Sequence, residues 1–205
     1  MNNFISFEGI DGSGKTTQIN RLSAWLENKN IPHTVLREPG GTFLSERIRE
    51  LLLDNNIDIN PYSETLLFMA ARSQLIDEII KPDLDSGKFV ICDRFVDSTV
   101  AYQSFGRKLN IDDINSMNIF STTNLYPQLT YLLDIDVNTS INRRIGSKSD
   151  RMESAGKDFL LDVRKGYLNI SKENSDRCYI INADKDEDEI FTEIINKFTE
   201  VYKGV

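Results

Sequence analysis

The residues that build disulfide frameworks and most structural metal sites are scarce in this chain. Its 205 residues include two cysteines and one histidine. Cys92 and Cys178 lie in apolar runs typical of buried strands, without a metal-ligand spacing, so we interpret them as core residues. His33 begins another such run, where a loop or surface role is far more common than a catalytic one. The sequence therefore predicts neither a disulfide framework nor a cysteine-based metal site.

Long apolar segments and an excess of positive charge are absent as well. No apolar run is long enough to cross a membrane, and the first residues lack the pattern of a signal peptide. The chain has 24 Lys and Arg against 32 Asp and Glu, which gives a net charge of −8. A protein with this charge has no broad attraction for nucleic acid or anionic membranes. We therefore expect a cytoplasmic protein with neither partner, in which locally gathered Lys and Arg bind any anionic ligand.

A phosphate-binding loop is the clearest pattern that the sequence does contain. An apolar run leads into Gly9-x-x-x-x-Gly14-Lys15-Thr16, and an amphipathic helix is predicted to follow. The glycines allow a backbone whose N–H groups surround phosphate oxygens, and the helix directs its positive end at them. Lys15 adds a positive charge, and the Thr16 hydroxyl is a ligand suited to Mg²⁺. This context favours a phosphate site over an ordinary glycine-rich turn.

Alternating strands and helices predict one domain, built on a parallel α/β sheet with helices on both faces. The predicted strands are residues 3–8, 33–37, 88–94, 129–135 and 178–182. The predicted helices run from Lys15 to about residue 30 and over residues 43–53, 63–80, 138–145, 159–171 and 190–202. Ser63 is the predicted N-cap of the third of these helices, after a polar loop at 54–61.

Two strand ends carry residues suited to phosphate and metal chemistry. Ligands of parallel α/β sheets bind beyond the carboxyl ends of the strands. Arg37 and Glu38 follow the second strand, where Glu38 is placed to reach a metal-bound water or a sugar hydroxyl. Asp93 ends the third strand as a Mg²⁺-associated acid does, and Arg94 beside it can bind a phosphate bidentately. The alternative is that these residues only form turns and cap the helices that follow.

One predicted helix carries a pair of residues suited to binding a nucleobase. Phe68 and Arg72 lie four residues apart and share a helix face, so a ring can stack on a base while a guanidinium bonds its edge. Taken alone, a phenylalanine is more often a core residue and an arginine more often a surface residue. A second helical face is predicted after the third strand, formed by Ser98, Thr99, Tyr102 and Gln103.

Residues 143–157 form a basic, loop-prone stretch. Its cations lie among Gly, Ser and Asp, and they are Arg143, Arg144, Lys148, Arg151 and Lys157. A solvated charged face is the alternative interpretation. Because the phosphate-binding loop carries no arginine at Gly12 or Ser13, we expect this stretch to supply a further cation to a transferring phosphate.

Taken together and in this order, these motifs resemble the thymidylate kinase family, which transfers the γ-phosphate of ATP to dTMP. The resemblance covers nearly the whole chain. It rests on the segments Phe7–Gln18, Arg37–Thr42, Leu67–Arg72 and Asp93–Phe95, extended by Ser98-Thr99, Tyr102-Gln103 and Asp150–Glu153. It implies a P-loop nucleoside-monophosphate kinase fold with a five-stranded parallel sheet, a mobile lid at about 143–157 and a homodimer.

The resemblance also implies a role for each candidate residue. The ATP site would comprise Gly9, Ile10, Asp11, Gly12, Ser13, Gly14, Lys15, Thr16 and Thr17. The dTMP site would comprise Asp11, Arg37, Glu38, Phe68, Arg72, Arg94, Ser98, Thr99, Tyr102 and Gln103, with Tyr102 excluding a ribose 2′-hydroxyl. Mg²⁺ would be bound or organised by Thr16, Glu38 and Asp93. The catalytic residues would be Asp11, Lys15, Arg94, Arg144 and Arg151.

Two questions stay open at the level of sequence. Family members with an arginine in the phosphate-binding loop carry it where this chain has Gly12, so the lid arginine is one of Arg143, Arg144 and Arg151, with Arg144 and Arg151 favoured. The chain could also be another nucleoside-monophosphate or deoxynucleoside kinase of the same fold, because the fold alone does not fix the acceptor. We do not favour a GTPase switch. Such proteins recognise guanine through an Asn-Lys-x-Asp pattern, and the nearest match in this chain, Asn28-Lys29-Asn30-Ile31, lacks the Asp.

Overall fold

The computed structural model describes residues 2–146, 151–152 and 156–204. A sheet of five strands runs through them in the order β2-β3-β1-β4-β5, with every neighbouring pair parallel. The strands are β1 (Phe4–Glu8), β2 (His33–Arg37), β3 (Phe89–Asp93), β4 (Leu129–Asp134) and β5 (Cys178–Asn182). The predicted parallel α/β sheet is confirmed, with each strand within a residue of its expected bounds.

Helices connect the strands and cover both faces of the sheet. Their bounds are α1 (Lys15–Asn28), α2 (Phe43–Leu53), α3 (Pro61–Leu75), α4 (Lys81–Asp85), α5 (Val96–Thr99), α6 (Ile111–Thr122), α7 (Val137–Arg143), α8 (Lys157–Glu173) and α9 (Glu187–Val201). Two π-helical segments continue α3 and α5, at Ile76–Ile80 and Val100–Gly106. None of the helices in the described part of the chain is long and apolar enough to cross a membrane.

The core lies on both sides of β1, because successive side chains of a strand point to opposite faces. Phe4 packs with Leu75 and Ile80 from the α3 side, whereas Ile5 and Phe7 belong to a larger cluster with residues of α1, α8 and α9. All five side chains of β1 are buried. A strand buried on both faces holds its carboxyl end rigidly, and the phosphate-binding loop begins there.

The third helix differs from the prediction in its start and in its regularity. It begins at Pro61 rather than Ser63, and its N-cap is Asn60, whose side chain accepts from the N–H groups of Tyr62 and Ser63. The prediction of Ser63 as N-cap is therefore wrong, since proline is favoured in the first turn and Asn60 supplies the acceptor. After Leu75 the expected α-helix becomes a π-helical segment and then α4.

Other differences concern helix ends and connections. Helix α6 was not predicted, although Asn110 caps it as an asparagine commonly does. Helix α9 begins at Glu187 rather than residue 190, because Asp186 and Glu189 form a reciprocal capping box. Of the lid expected at 143–157, residues 147–150 and 153–155 lie outside the described chain, so Lys148 and the acids at 150 and 153 do too.

Candidate active site

One cavity of about 600 Å³ opens beyond the carboxyl ends of β1, β2 and β3. It brings together most of the residues that the sequence predicted. From the first half of the chain it is lined by Asp11, Gly12, Ser13, Gly14, Lys15, Thr16, Thr17, Arg37, Glu38, Phe68 and Arg72. From the second half it is lined by Asp93, Arg94, Ser98, Thr99, Tyr102 and Gln103. Gly9, Ile10, Arg144 and Arg151 do not line it.

The phosphate-binding loop joins β1 to α1 at one end of the cavity. Gly9 has a φ of 138°, and a Cβ there would lie 2.5 Å from the carbonyl oxygen of Leu133, so a side chain does not fit. Lys15 Nζ donates to the Gly9 and Ile10 carbonyls at 3.0 and 3.3 Å. Burial lowers the pKa of Lys15. The ammonium is thus poorly solvated, and a phosphate in the loop would offer it a stronger acceptor than these carbonyls.

Oxygen ligands suited to a divalent cation lie beside the loop. Thr16 lies in the first turn of α1, and its Oγ1 is 3.4 Å from Oδ2 of Asp93, the last residue of β3. Glu38 is buried, and its Oε1 has no hydrogen-bond partner in the described part of the chain. Burial raises the pKa of Glu38. A hydroxyl with nearby carboxylates is a donor set that fits Mg²⁺, which favours oxygen and completes its shell with phosphates and water.

Asp11 and Arg94 form an ion pair in the lining of the cavity. Arg94 follows β3 with a φ of 72°, and its Nη2 lies 2.6 Å from Asp11 Oδ1. Asp11 also lies 3.9 Å from Lys15 Nζ. Burial acts to raise the pKa of Asp11, but the charges of Arg94 and Lys15 outweigh it and hold that pKa well below its usual range. An ionised Asp11 thus pairs with two cations that line the same cavity.

Glu8, which the sequence did not single out for a role, supports Arg94 from behind. Its carboxyl oxygens accept from the N–H of Phe95 at 2.7 Å, from Ser98 Oγ at 2.6 Å and from the Tyr167 hydroxyl at 3.2 Å. Arg94 Nη1 donates to the same two hydroxyls, at 3.3 and 2.9 Å. Glu8 therefore fixes the backbone after Arg94 and the oxygens that orient its guanidinium.

Phe68 and Arg72 both line the cavity, as their spacing predicted. Arg72 is 2% exposed, and its Nη2 lies 2.6 Å from Glu38 Oε2. Its Nη1 donates to Asn118 Oδ1 at 2.9 Å, and its guanidinium lies over the ring of Phe95. Each Nη carries two hydrogens, so one N–H on each can still reach a ligand. Such a buried, oriented guanidinium can recognise the edge of a base beside Phe68.

Other residues of the cavity lining come from β2, from α2 and from the π-helical segment after α5. Tyr102 and Gln103 project from the π-helical segment, and π-helical turns are frequent at functional sites. The Tyr102 ring lies 5.1 Å from the Arg94 guanidinium. Arg37 is more exposed and lies 3.2 Å from Glu46 Oε2. Arg49, which the sequence did not indicate, also lines the cavity and donates to the Pro39 carbonyl.

The three candidate arginines of the basic stretch lie in different places. Arg143 lines the cavity and donates to the carbonyls of Gly12 and Ala183 at 3.3 and 3.2 Å. Arg144 lies behind the loop, with its Cγ 3.4 Å from a Cβ built on Gly12, and its charge contributes to the low pKa of Asp11. Arg151 instead lies 2.7 Å from Oε2 of Glu64 in α3.

The cavity continues past Arg143 to residues that the sequence did not assign to a site. The turn after β5 and the start of α9 supply this part, lined by Ala183, Lys185, Glu187 and Ile190. No local sequence motif marks this segment as part of a site. Its proximity to the phosphate-binding loop arises because β5 and β1 both pair with β4.

Comparisons with known proteins agree with this geometry. The family model described as thymidylate kinase matches residues 7–194. The chain is 48% identical to the thymidylate kinase of Thermosipho africanus, over 93% of this chain and 94% of that protein. It is 45% identical to that of Fervidobacterium nodosum, over 95% and 98% of the two chains. The crystal structure of thymidylate kinase from Ehrlichia chaffeensis superposes with a TM-score of 0.78 at 36% identity, over 95% of this chain and 97% of that one. A family model and relatives that match nearly the whole chain show that this protein belongs to the thymidylate kinase family.

Proposed function

We propose that this protein transfers the γ-phosphate of ATP to dTMP, giving dTDP and ADP. The family to which the chain belongs supports this reaction. One observation carries the assignment to this site. A single cavity is lined by the phosphate-binding loop, by the Phe68–Arg72 pair and by Arg94, which forms an ion pair with Asp11 of the loop. This set of residues matches a donor triphosphate, an acceptor base and an acceptor phosphate.

The residues divide into donor and acceptor roles. The loop amides and Lys15 bind the donor phosphates, and the segment from Ala183 to Ile190, with Arg143, borders the donor base. Arg94, oriented by Asp11 and Glu8, binds the acceptor phosphate in line with the γ-phosphate. Catalysis then depends mostly on positioning and on positive charge around the transferring group.

The metal is Mg²⁺ in this proposal. The Thr16 hydroxyl would hold it, with Asp93 and Glu38 orienting its waters or the acceptor sugar. When bound, Mg²⁺ neutralises negative charge on the donor phosphates. The support is the chemistry of the donor set, namely a hydroxyl 3.4 Å from one carboxylate and a buried carboxylate oxygen on Glu38 without a described partner.

A homodimer is the proposed assembly. Helices α2, α3 and α6 adjoin one another and expose large apolar side chains in the described chain. These side chains are Phe43, Leu44, Leu51, Tyr62, Leu66, Ile111, Ile119 and Phe120, the last 88% exposed. Exposed apolar side chains gathered on adjoining helices support a protein–protein contact there. A cytoplasmic location and the absence of a nucleic-acid partner, both expected from composition, complete the proposal.

Acceptor preference tests the function. ADP release would be measured with ATP, Mg²⁺ and each of dTMP, dUMP, dCMP, dGMP and dAMP. We expect kcat/KM for dTMP to exceed that for dCMP by about ten- to a hundredfold or more, because the cytosine amine would face the N–H groups of Arg72 and leave a donor of that buried guanidinium without an acceptor. Equal kcat/KM values for dTMP and dCMP would contradict the assignment. An Arg47→Ala variant, altered on the exposed side of α2, serves as the control with unchanged preference.

A further inference from the structure

Glu64 is a completely buried carboxylate that the phosphate-transfer chemistry does not require. It lies in the first turn of α3, one turn before Phe68, and is 0% exposed. Three side chains converge on it. Oε1 accepts from Gln103 Nε2 at 2.9 Å and from Arg107 Nε at 3.1 Å, Oε2 accepts from Arg107 Nη2 at 3.0 Å, and Arg151 Nη1 forms an ion pair with Oε2 at 2.7 Å. Both oxygens of the carboxylate thus face donors.

This arrangement determines which end of the Gln103 amide faces the cavity. A carboxylate whose positions are filled by donors can only accept, so the group that Gln103 presents to Glu64 must be its NH₂. The amide oxygen is then the atom available to a ligand, because no described residue donates to it. An asparagine or glutamine amide is otherwise free to turn over, and its two ends have opposite hydrogen-bonding character.

We propose that Glu64 is a specificity-determining positioning residue, which holds the Gln103 amide so that its oxygen accepts from the N3–H of the acceptor base. Thymine offers a donor at N3 and an acceptor at O4, whereas cytosine offers an acceptor at N3 and donors at N4. The Gln103 oxygen and the Arg72 N–H groups match the first pattern and oppose the second. The inference rests on the proposed placement of the acceptor base beside Phe68.

The two arginines determine how an amide at position 64 would be oriented. A guanidinium accepts no hydrogen bond, so an amide at position 64 would turn its oxygen towards Arg107 Nη2 and Arg151. Its NH₂ would then occupy the place of Oε1 and face Gln103. Gln103 would respond by turning its own oxygen inwards and its NH₂ towards the base. Glu64→Gln should therefore replace the acceptor that Gln103 presents to the base with a donor, while the shape of the pocket stays nearly unchanged.

The test is the ratio of kcat/KM for dTMP to kcat/KM for dCMP in four variants. Glu64→Gln should lower this ratio by about ten- to a hundredfold, mainly through a higher KM for dTMP, with KM for ATP unchanged. The double variant Glu64→Gln/Gln103→Glu exchanges donor and acceptor, restores an oxygen towards N3–H and should return the ratio to within about threefold of native. Arg107→Met breaks the same ion pair but keeps the Gln103–Glu64 bond, so it should lower Tm and leave the ratio unchanged.

The outcomes separate this inference from the proposed function. Gln103→Leu should lower the ratio about as much as Glu64→Gln, and an unchanged ratio there would mean that the base does not lie against Gln103. If Gln103→Leu lowers the ratio while Glu64→Gln leaves it unchanged, Glu64 is a structural residue and the inference is wrong. If Glu64→Gln does not fold, the double variant is the test. A dTMP-to-dCMP ratio of kcat/KM in the double variant as low as that of Gln103→Leu would overturn the inference.

Discussion

Arg94 Nη2 lies 2.6 Å from Asp11 Oδ1, which ties the phosphate-binding loop after β1 to the residue after β3. These two residues are 83 positions apart, and adjacent parallel strands bring them together. The pair places an acid and a cation where the donor and acceptor phosphates of the proposed reaction meet. It also links the stability of the site to pH.

Asp11→Asn should lower the stability of the folded protein at neutral pH. It should also remove one cause of the loss of stability in acid. The pKa of Asp11 is lowered in the folded protein, so its ionised form stabilises the fold above the unfolded value of 3.8, and that contribution is lost as pH falls towards the folded value. We expect the native protein to be more stable than the variant at pH 7 by on the order of 1 kcal/mol, and the difference to shrink by pH 3. Urea unfolding at both pH values measures this, and a constant difference would contradict it.

Glu8→Gln should change stability with pH in the opposite direction. Burial first and the charge of Asp97 next raise the pKa of Glu8 to about 8 from 4.5. A raised pKa gives a contribution that is fully present below the unfolded value and is lost as pH rises through about 8. The native protein should thus lose stability relative to Glu8→Gln between pH 5 and pH 9, by a few kcal/mol at most. Parallel unfolding curves at both pH values would show that the buried carboxyl is not titrating.

Tyr102 should exclude ribonucleotides by its bulk. Its ring lies between the Arg94 guanidinium and the rings of Phe159 and Tyr167 at the cavity wall. Tyr102→Phe should keep the preference for dTMP over ribo-TMP, whereas Tyr102→Ala should relax it by opening space beside the sugar 2′ position. Competition between the two acceptors measures the preference directly. An unchanged ratio in Tyr102→Ala would identify the ring as packing alone.

An arginine of the basic stretch should act mainly on kcat. Arg143 and Arg144 lie beside the phosphate-binding loop, while Arg151 lies on Glu64. Because charge on the transferring phosphate is stabilised most in the transition state, loss of the catalytic arginine should lower kcat by more than about a hundredfold with smaller changes in KM. Single alanine variants and the triple variant test this. The expectation fails if the triple variant keeps kcat within about threefold of native.

Dimerisation should depend on the exposed face of α2, α3 and α6. Phe120 is 88% exposed there, and a charge at its position would be buried without a partner in an apolar contact. Phe120→Glu should shift sedimentation towards monomer at micromolar concentration with little change in Tm. Leu161→Glu, at a half-exposed position on α8, is the matched control and should leave the molecular mass unchanged. A monomeric native protein would refute the proposed dimer.

The sequence by itself determined the features that depend on local pattern. The glycine spacing at 9–14, the apolar strand runs and the order of the motifs predicted the loop, the five strands and the family. Phe68 and Arg72 share a helix face at any position in the fold, because spacing alone dictates it. Helix starts were less accurate, since capping by Asn60 and Asp186 competes with equally plausible neighbours.

The tertiary structure decided which distant side chains meet. Nothing local marks Glu8 as the support of Arg94 or Glu64 as the partner of Gln103, Arg107 and Arg151, because these contacts join residues 39 to 90 positions apart. A buried carboxylate is stable only when donors from several elements converge on it. The packing of helices on the sheet creates that convergence, and it turns a polar residue in a helix into one that controls the site.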